Sequence, residues 1–371
     1  MTFPRKSLLV DGRPRHASNH ENSGKSMRFF SGRLCMTSCD MLSRPPTLWL
    51  SRACGRETNV KLNFKAVILV LATASIVTGC SSMKPYSESP QFNAATNTFQ
   101  HPRGYRHDKG LLDVLGLARA YFSREEDPAE TSGFPLLDPA ALAPPTGDGP
   151  HVTWVGHSTL LFAYRGVTVL TDPMFSDRAS PFGFIGPKRV VPPAYTAETL
   201  PHVDVAVISH AHYDHLDLPG LRRLAATQPH IRFIVPLGLA RYVRRAGFDD
   251  VVEIDWWQSD IRDDVTVTAT PLRHWASRTP FDRNRTLWSG FMIRFADGYQ
   301  FYFAGDTGYG ADFAETRDRL GAPDFAAIPI GAYEPRDFMR ESHSNPEEAV
   351  RIFEDLRAGH AIAVHLSLIH I

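Results

Sequence analysis

The chain has 371 residues, 43% of them apolar, which suits a sizeable core and argues against global disorder. Lys plus Arg and Asp plus Glu are both 40, a balance that argues against a nucleic-acid binder, whose surface carries a basic excess. All four cysteines, Cys35, Cys39, Cys54 and Cys80, fall in the first 80 residues, so the rest of the chain has no disulfide, thiolate ligand or cysteine nucleophile.

Residues 1–59 are rich in Arg, Ser and Pro and show no sustained periodicity. They are expected to be misassigned upstream translation or a disordered extension. Residues 60–80 have the layout of a secretory signal: Lys61 and Lys65 precede an apolar run from Ala66 to Val77. That run is shorter than the ~20 helical residues a bilayer requires. It ends in Val77-Thr78-Gly79-Cys80, which resembles a bacterial lipobox, where the Cys is diacylated. No Asp follows Cys80, which resembles the outer-membrane sorting pattern. The expected location is therefore the bacterial cell envelope, lipid-anchored at the outer membrane and facing the periplasm. Residues 81–148 read as a tether and packing arm. They are polar up to Pro102, have helical spacing over 111–122, and form a Pro- and Ala-rich connection over 135–150.

From residue 149 to 365 the texture changes to strands alternating with helices. Strands are predicted over 151–155, 159–164 and 167–171, with a hairpin turn at Arg165-Gly166. Next come a strand over 203–209, a helix over 218–227, a strand over 231–236 and a helix over 237–246. Strands follow over 251–256, 265–272, 287–295 and 300–304, then a helix over 311–320 and a strand over 325–330. A helix over 345–358, with Pro346 early and Glu347 and Glu348 in its first turn, precedes a last strand over 360–365. Hairpins followed by alternating units imply an α/β domain of layered sheets covered by helices.

The chemistry concentrates just past the apolar strand 203–209. His210, His212, Asp214 and His215 stand in one hexapeptide, His-Ala-His-Tyr-Asp-His. Neutral imidazoles and a carboxylate are donors that zinc prefers, and crowding them without a cation gains nothing structurally. Further candidates stand at strand ends: His274 after 265–272, Asp306 after 300–304, and His365 at the end of 360–365.

These segments resemble the metallo-β-lactamase superfamily, and more narrowly its N-acyl-phosphatidylethanolamine-hydrolysing phospholipase D branch with its bacterial lipoprotein relatives. The resemblance runs from about His151 to His365 through VTWVGHSTLL, TDPMFSDRASP, ISHAHYDHLD, RHWASRT, FAGDTGYG, PIGAYEPRDFM and HSNPEEAVRIF. It implies a four-layer αββα sandwich and a dinuclear centre. His210, His212 and His274 would hold one Zn2+, Asp214, His215 and His365 a second, and Asp306 would bridge them. Iron or manganese accepts the same donors. A bridging hydroxide would be the nucleophile, and the small residual positive charge suits an anionic substrate. His343 matches a motif position near the family's active centre, where it would position a phosphate or pass a proton. Asp172, just past the strand 167–171, is a candidate for orienting a ligand histidine. His157, Tyr213, Trp257, Trp275 and Tyr333 are candidates for lining the substrate pocket.

The resemblance breaks after His365. Relatives continue there, whereas residues 366–371 read Leu-Ser-Leu-Ile-His-Ile and look like a translated sequencing adapter, so the domain is expected to be truncated at its C-terminus. The expected function is hydrolysis of a phosphodiester such as a phospholipid. The alternatives are a lactone, amide or cyclic phosphate ester hydrolase, and a non-catalytic metal-binding envelope lipoprotein. A small-molecule or lipid substrate and a membrane are the expected partners, with the oligomeric state left open.

Overall fold

The computed structural model describes residues 86–105, 147–262 and 264–366. The readings made for residues 1–59, the signal and Cys80, the helix over 111–122, most of the 135–150 connection and residues 367–371 lie outside these.

The first described segment forms a small hairpin, β1 (Phe92–Asn93) with β2 (Thr98–Phe99). Within the stretch read as a tether and packing arm, this segment packs. Phe99 is fully buried, and Tyr86 and Phe92 pack against the main core. The Tyr86 hydroxyl donates to Glu253 at 3.3 Å, and Arg103 donates to Asp312 and Glu315 at 3.1 and 2.6 Å. The polar background of this stretch hides three aromatic side chains, whose burial outweighs the entropy of a free linker.

Two six-stranded sheets follow in sequence. The first has the order β3-β4-β5-β6-β7-β8. β3 (His151–Gly156), β4 (Thr159–Tyr164) and β5 (Val167–Thr171) form an antiparallel meander. β6 (Val205–Val207), β7 (Arg232–Pro236) and β8 (Val251–Ile254) then add in parallel. The crossovers are α1 (Leu218–Thr227) and α2 (Ala240–Ala246).

The second sheet repeats the plan. β9 (Ser259–Arg262), β10 (Val265–Thr270), β11 (Gly290–Phe295) and β12 (Gln300–Phe303) are antiparallel, and β13 (Phe325–Pro329) and β14 (His360–Val364) add in parallel. Its helices are α3 (Asp312–Leu320), the short α4 (Arg336–Met339) and α5 (Pro346–Leu356). Asn345 caps α5 in a reciprocal capping box with Glu348, and Pro346 fits where no backbone donor is needed.

Period-two alternation divides the apolar side chains between two cores. Leu160 and Phe162 of β4, Ile234 of β7, and Phe301 and Phe303 of β12 meet between the sheets. Leu161, Phe233, Val235 and Tyr302 point the other way, into the core that also holds Leu221 and Val243 from the first sheet's helices and Phe313 and Ile352 from the second's. Both faces of the central strands are buried, so they read as continuous apolar runs. The result is the four-layer αββα sandwich that the resemblance implied.

The topology also sets where the site lies. β3, β5 and β6 run in one direction in the first sheet, and β10, β12, β13 and β14 share a direction in the second. The residues following these strands are His157, Asp172, the hexapeptide, His274, Asp306, His343 and His365.

Candidate metal centre

Three imidazole nitrogens converge at the end of β6 and the loop after β10. His210 Nε2 and His212 Nδ1 are 2.7 Å apart, and His274 Nε2 lies 3.2 and 3.3 Å from them. Behind His210, the Ser209 hydroxyl donates to Asp172 Oδ2 at 2.6 Å, so its oxygen is left to accept from His210 Nδ1 at 2.9 Å. His274 Nδ1 is 3.0 Å from the Ser342 carbonyl, which can only accept. Both protons therefore sit on Nδ1, and both Nε2 lone pairs face the cluster. Converging lone pairs repel unless a cation lies among them.

A second set gathers around two carboxylate oxygens. Asp214 Oδ2 lies 3.2 Å from His215 Nε2, 3.3 Å from His365 Nε2 and 3.0 Å from His157 Nε2. Asp306 Oδ2 lies 3.1 Å from His215 Nε2 and 3.0 Å from His365 Nε2, and 3.9 Å from both His210 Nε2 and His274 Nε2. One carboxylate oxygen thus reaches both donor sets. His212 Nε2, Asp306 Oδ1 and His365 Nδ1 are buried without a hydrogen-bond partner. So many orphaned donor atoms in one place are unusual in a settled interior, and they fit divalent cation binding.

Electrostatics gives the same reading. Burial pushes His210 well below its ordinary pKa and His212 down to about 4, leaving both in the neutral form that ligates a metal. Burial also opposes charge on His215 and His365, but the surrounding carboxylates outweigh it. Asp306, Asp214 and Asp172 hold His215 well above its usual value, and Asp306 and Asp214 lift His365 to about 9. Asp214 and Asp306 stay ionised despite burial, chiefly through His215. In the chain alone, imidazolium protons neutralise the buried carboxylates. A cation held by these donors would neutralise the same carboxylates in place of the protons.

The backbone is shaped to bring these groups together. His157, Asp172 and His365 all have positive φ, at 57°, 34° and 65°, uncommon for residues with a Cβ. Gly305, at φ +60°, lies where a Cβ would come within 2.7 Å of the Ser209 side chain, so the passage of the backbone beside Ser209 just before Asp306 requires glycine there. At Gly331 a Cβ would overlap the His365 carbonyl at 1.7 Å.

The sequence-derived residues fall as follows. All seven candidate ligands are brought together. Asp172 lies behind them, accepting from Ser209 N–H and pairing with His215 Nδ1, both at 2.6 Å. It orients His215 directly and His210 through Ser209. Asp172→Asn is expected to lower metal affinity or turnover about 10–100-fold while the fold is kept. Metal titration beside the melting curve tests this, and unchanged affinity would show that the histidines are oriented without it.

His343 Nδ1 lies 3.9 Å from Asp306 Oδ2, with its ring 5.3 Å from those of His274 and His365, and burial pushes it down to about 4. Arg336 holds this loop by donating to the His343 carbonyl while paired with Glu348. His157 was expected at the pocket wall. It instead joins the second donor set, fully buried, with Nδ1 3.2 Å from the Leu366 carbonyl. Leu366, read as the start of a foreign tail, bridges to His157.

Trp275 packs edge-on against His212 with ring centroids 4.4 Å apart. Tyr213 is half-buried beneath the Arg278 guanidinium, at 4.0 Å. Tyr333 is half-buried in the loop after β13. Trp257 packs against the main core beneath Arg319, at 4.2 Å, rather than against the cluster, because its turn belongs to the β8–β9 crossing.

Sequence reasoning missed Ser209, the Ser342 carbonyl and Arg278. Arg278 donates to the Ala211 and Leu216 carbonyls and so braces the hexapeptide backbone from the RHWASRT segment. An Arg four residues past a candidate ligand was the available signal.

A family model described as a β-lactamase superfamily domain matches residues 167–366. The N-acyl-phosphatidylethanolamine-hydrolyzing phospholipase D 1 of Caenorhabditis elegans is 37% identical over 284 residues, covering 72% of this chain and 80% of that protein. The mitochondrial N-acyl-phosphatidylethanolamine-hydrolyzing phospholipase D of Saccharomyces cerevisiae is 34% identical over 255 residues, 64% of this chain and 54% of that one, so the chain spans about half of the yeast relative. Among solved structures, an isothiocyanate hydrolase from Delia radicum gut bacteria aligns with a TM-score of 0.49 and 21% identity, covering 59% of this chain and 86% of that chain. The chain belongs to the metallo-β-lactamase superfamily of metal-dependent hydrolases, and within it resembles the N-acyl-phosphatidylethanolamine-hydrolysing phospholipases D.

Proposed function

We propose that the chain is a dinuclear phosphodiesterase that hydrolyses phospholipids in the manner of a phospholipase D. The observation carrying this reading is the single Asp306 oxygen within 3.9 Å of four imidazole nitrogens from both donor sets. In this reading His210, His212 and His274 would hold one cation and Asp214, His215 and His365 the other, with Asp306 within reach of both sets. Zinc suits these donors, and iron or manganese accepts them too. Two bound cations supply a water of lowered pKa and neutralise a phosphoryl oxygen.

The chain's own groups do the rest. Asp172 and the Ser342 carbonyl keep the Nδ1 protons in place and aim the ligating nitrogens inward. His157 lies against Asp214, and the proton of its neutral ring serves either that carboxylate or the Leu366 carbonyl. His343, anchored by Arg336 and only partly covered, stands where it can hold a phosphate oxygen beside Asp306. Trp275, over His212, forms one wall of the approach. Diacylation of Cys80 would keep the domain on the periplasmic face of the outer membrane, beside lipid substrate.

The test is elemental analysis of the purified full chain, with a substrate panel of N-acyl-phosphatidylethanolamine, phosphatidylcholine, a lactone and an amide. Two metal equivalents and turnover of a phospholipid phosphodiester are expected. Brisk lactone turnover without phosphodiester turnover would overturn the reading.

A further inference from the structure

Two exposed excursions flank Tyr213, the residue between His212 and Asp214. The first runs from Asp177 to Lys188. Its base is closed by a bridge between Arg178 and Lys188, by the Ala179 N–H donating to the Pro187 carbonyl at 2.9 Å, and by Arg178 Nη1 donating to the Gly186 carbonyl at 2.7 Å. At its tip Phe182, Phe184 and Ile185 are 56%, 81% and 46% exposed, the two rings 5.7 Å apart.

The second excursion runs from Ser277 to Arg285. Asp282 fastens it by accepting from Ser277 Oγ and from the Arg278 and Thr279 N–H groups. Phe281 at its tip is 84% exposed. The bases of the two excursions meet at Tyr213: Met174 and Ala179 pack with its ring, and its hydroxyl donates to the Arg278 carbonyl at 3.0 Å. Both therefore rise from the rim of the metal centre.

Folding gains nothing from leaving these side chains in water, and such exposed apolar groups mark contact surfaces. Their surroundings identify the contact. The two excursions carry five basic residues and two acidic ones; Arg178 and Arg278 are turned onto backbone carbonyls, which leaves Lys188, Arg283 and Arg285 exposed against the one exposed acid Asp177. Asp282 is turned into its own turn. Aromatic tips within a basic rim match the interface of an anionic bilayer, where rings enter the headgroup boundary and cations meet lipid phosphates. A second copy would present the same basic excess and be repelled. Among the described residues no helix is long and apolar enough to cross a membrane.

We propose that the tips at Phe182–Ile185 and Phe281 insert into the surface of an anionic phospholipid bilayer and hold the rim of the metal centre against it. This docking does not depend on which bond the centre cleaves.

The experiment uses the full chain with photoreactive benzoylphenylalanine in place of Phe184, Phe281 or, as an exposed control, Ile261 on β9, which is 74% exposed. Each protein is irradiated with vesicles of phosphatidylglycerol and phosphatidylethanolamine, or of phosphatidylcholine alone. Lipid adducts are expected at 184 and 281, in excess over 261 and strongest with phosphatidylglycerol. Lys188→Glu and Arg285→Glu are each expected to reduce them roughly fivefold, with unchanged melting curves as the control for folding. Equal adducts at 261, adducts only to a second copy or to added protein, or yields indifferent to lipid charge would overturn the proposal. Lipid adducts from a protein that cleaves no phosphodiester would sink the proposed reaction and leave the docking surface standing.

Discussion

Asp306→Asn is expected to cut hydrolytic turnover about a thousandfold, the order of magnitude for losing about 4 kcal/mol of charge stabilisation at a metal centre. The carboxylate is fully desolvated, and its Oδ2 reaches both donor sets. Asparagine keeps the shape but removes the charge. Its amide also brings donor hydrogens, or a weaker acceptor, to nitrogens whose lone pairs already point inward. The bound metal should therefore fall together with the rate. Elemental analysis and initial rates on the same preparation check this. Full metal content with an undiminished rate would remove Asp306 from the centre. Asp172→Asn should cost much less, because Asp172 acts through the orientation of His215 and His210 and contributes no atom facing the cluster.

Phe301→Ala is expected to destabilise the fold by about 3–5 kcal/mol. The Phe301 ring on β12 lies against that of Phe162 on β4, with centroids 4.3 Å apart and planes 5° apart, and both residues are fully buried. The pair joins the two sheets directly, and neither sheet can collapse into the void without dragging its neighbours. Denaturant unfolding followed by tryptophan fluorescence measures the effect. An unchanged midpoint would mean that the sheets do not pack through this ring. Phe184→Ser, at an exposed tip, should shift stability by no more than about 0.5 kcal/mol. The contrast separates an aromatic that holds the fold together from one that does not.

The regular elements were legible because their burial imposes a pattern. β4, β7 and β12 are covered on both faces and read as apolar runs, while α5 announces itself through Asn345, Pro346 and Glu348. β9 was illegible: Ser-Asp-Ile-Arg has no apolar face, and it pairs only with β10 at the sheet edge, with Ile261 in solvent. α4 has four residues, too few for a helical period. The hexapeptide was legible because four donors are contiguous. Ser209 was not, since a serine before a histidine gains meaning only when Asp172, distant in sequence, receives its proton. His157 was placed near the pocket but not in a donor set, because only the positive φ in the β3–β4 turn aims its ring at Asp214. In the stretch read as a tether and packing arm, the packing residues of 86–105 were not individually legible because its aromatics are too widely spaced to show a period.

The order of the ligand-bearing strands along the chain, β6, β10, β12 and then β14, also sets an order of assembly during translation. The hexapeptide leaves the ribosome first, then His274, then Asp306, and His365 only with β14. Until β14 pairs with β13, Asp214 and Asp306 lack one of the two imidazoles that neutralise them, and any ion captured by the nascent chain sits in an open, exchangeable shell. A complete donor set is thereby tied to β14, the strand that brings His365 beside Asp214 and Asp306.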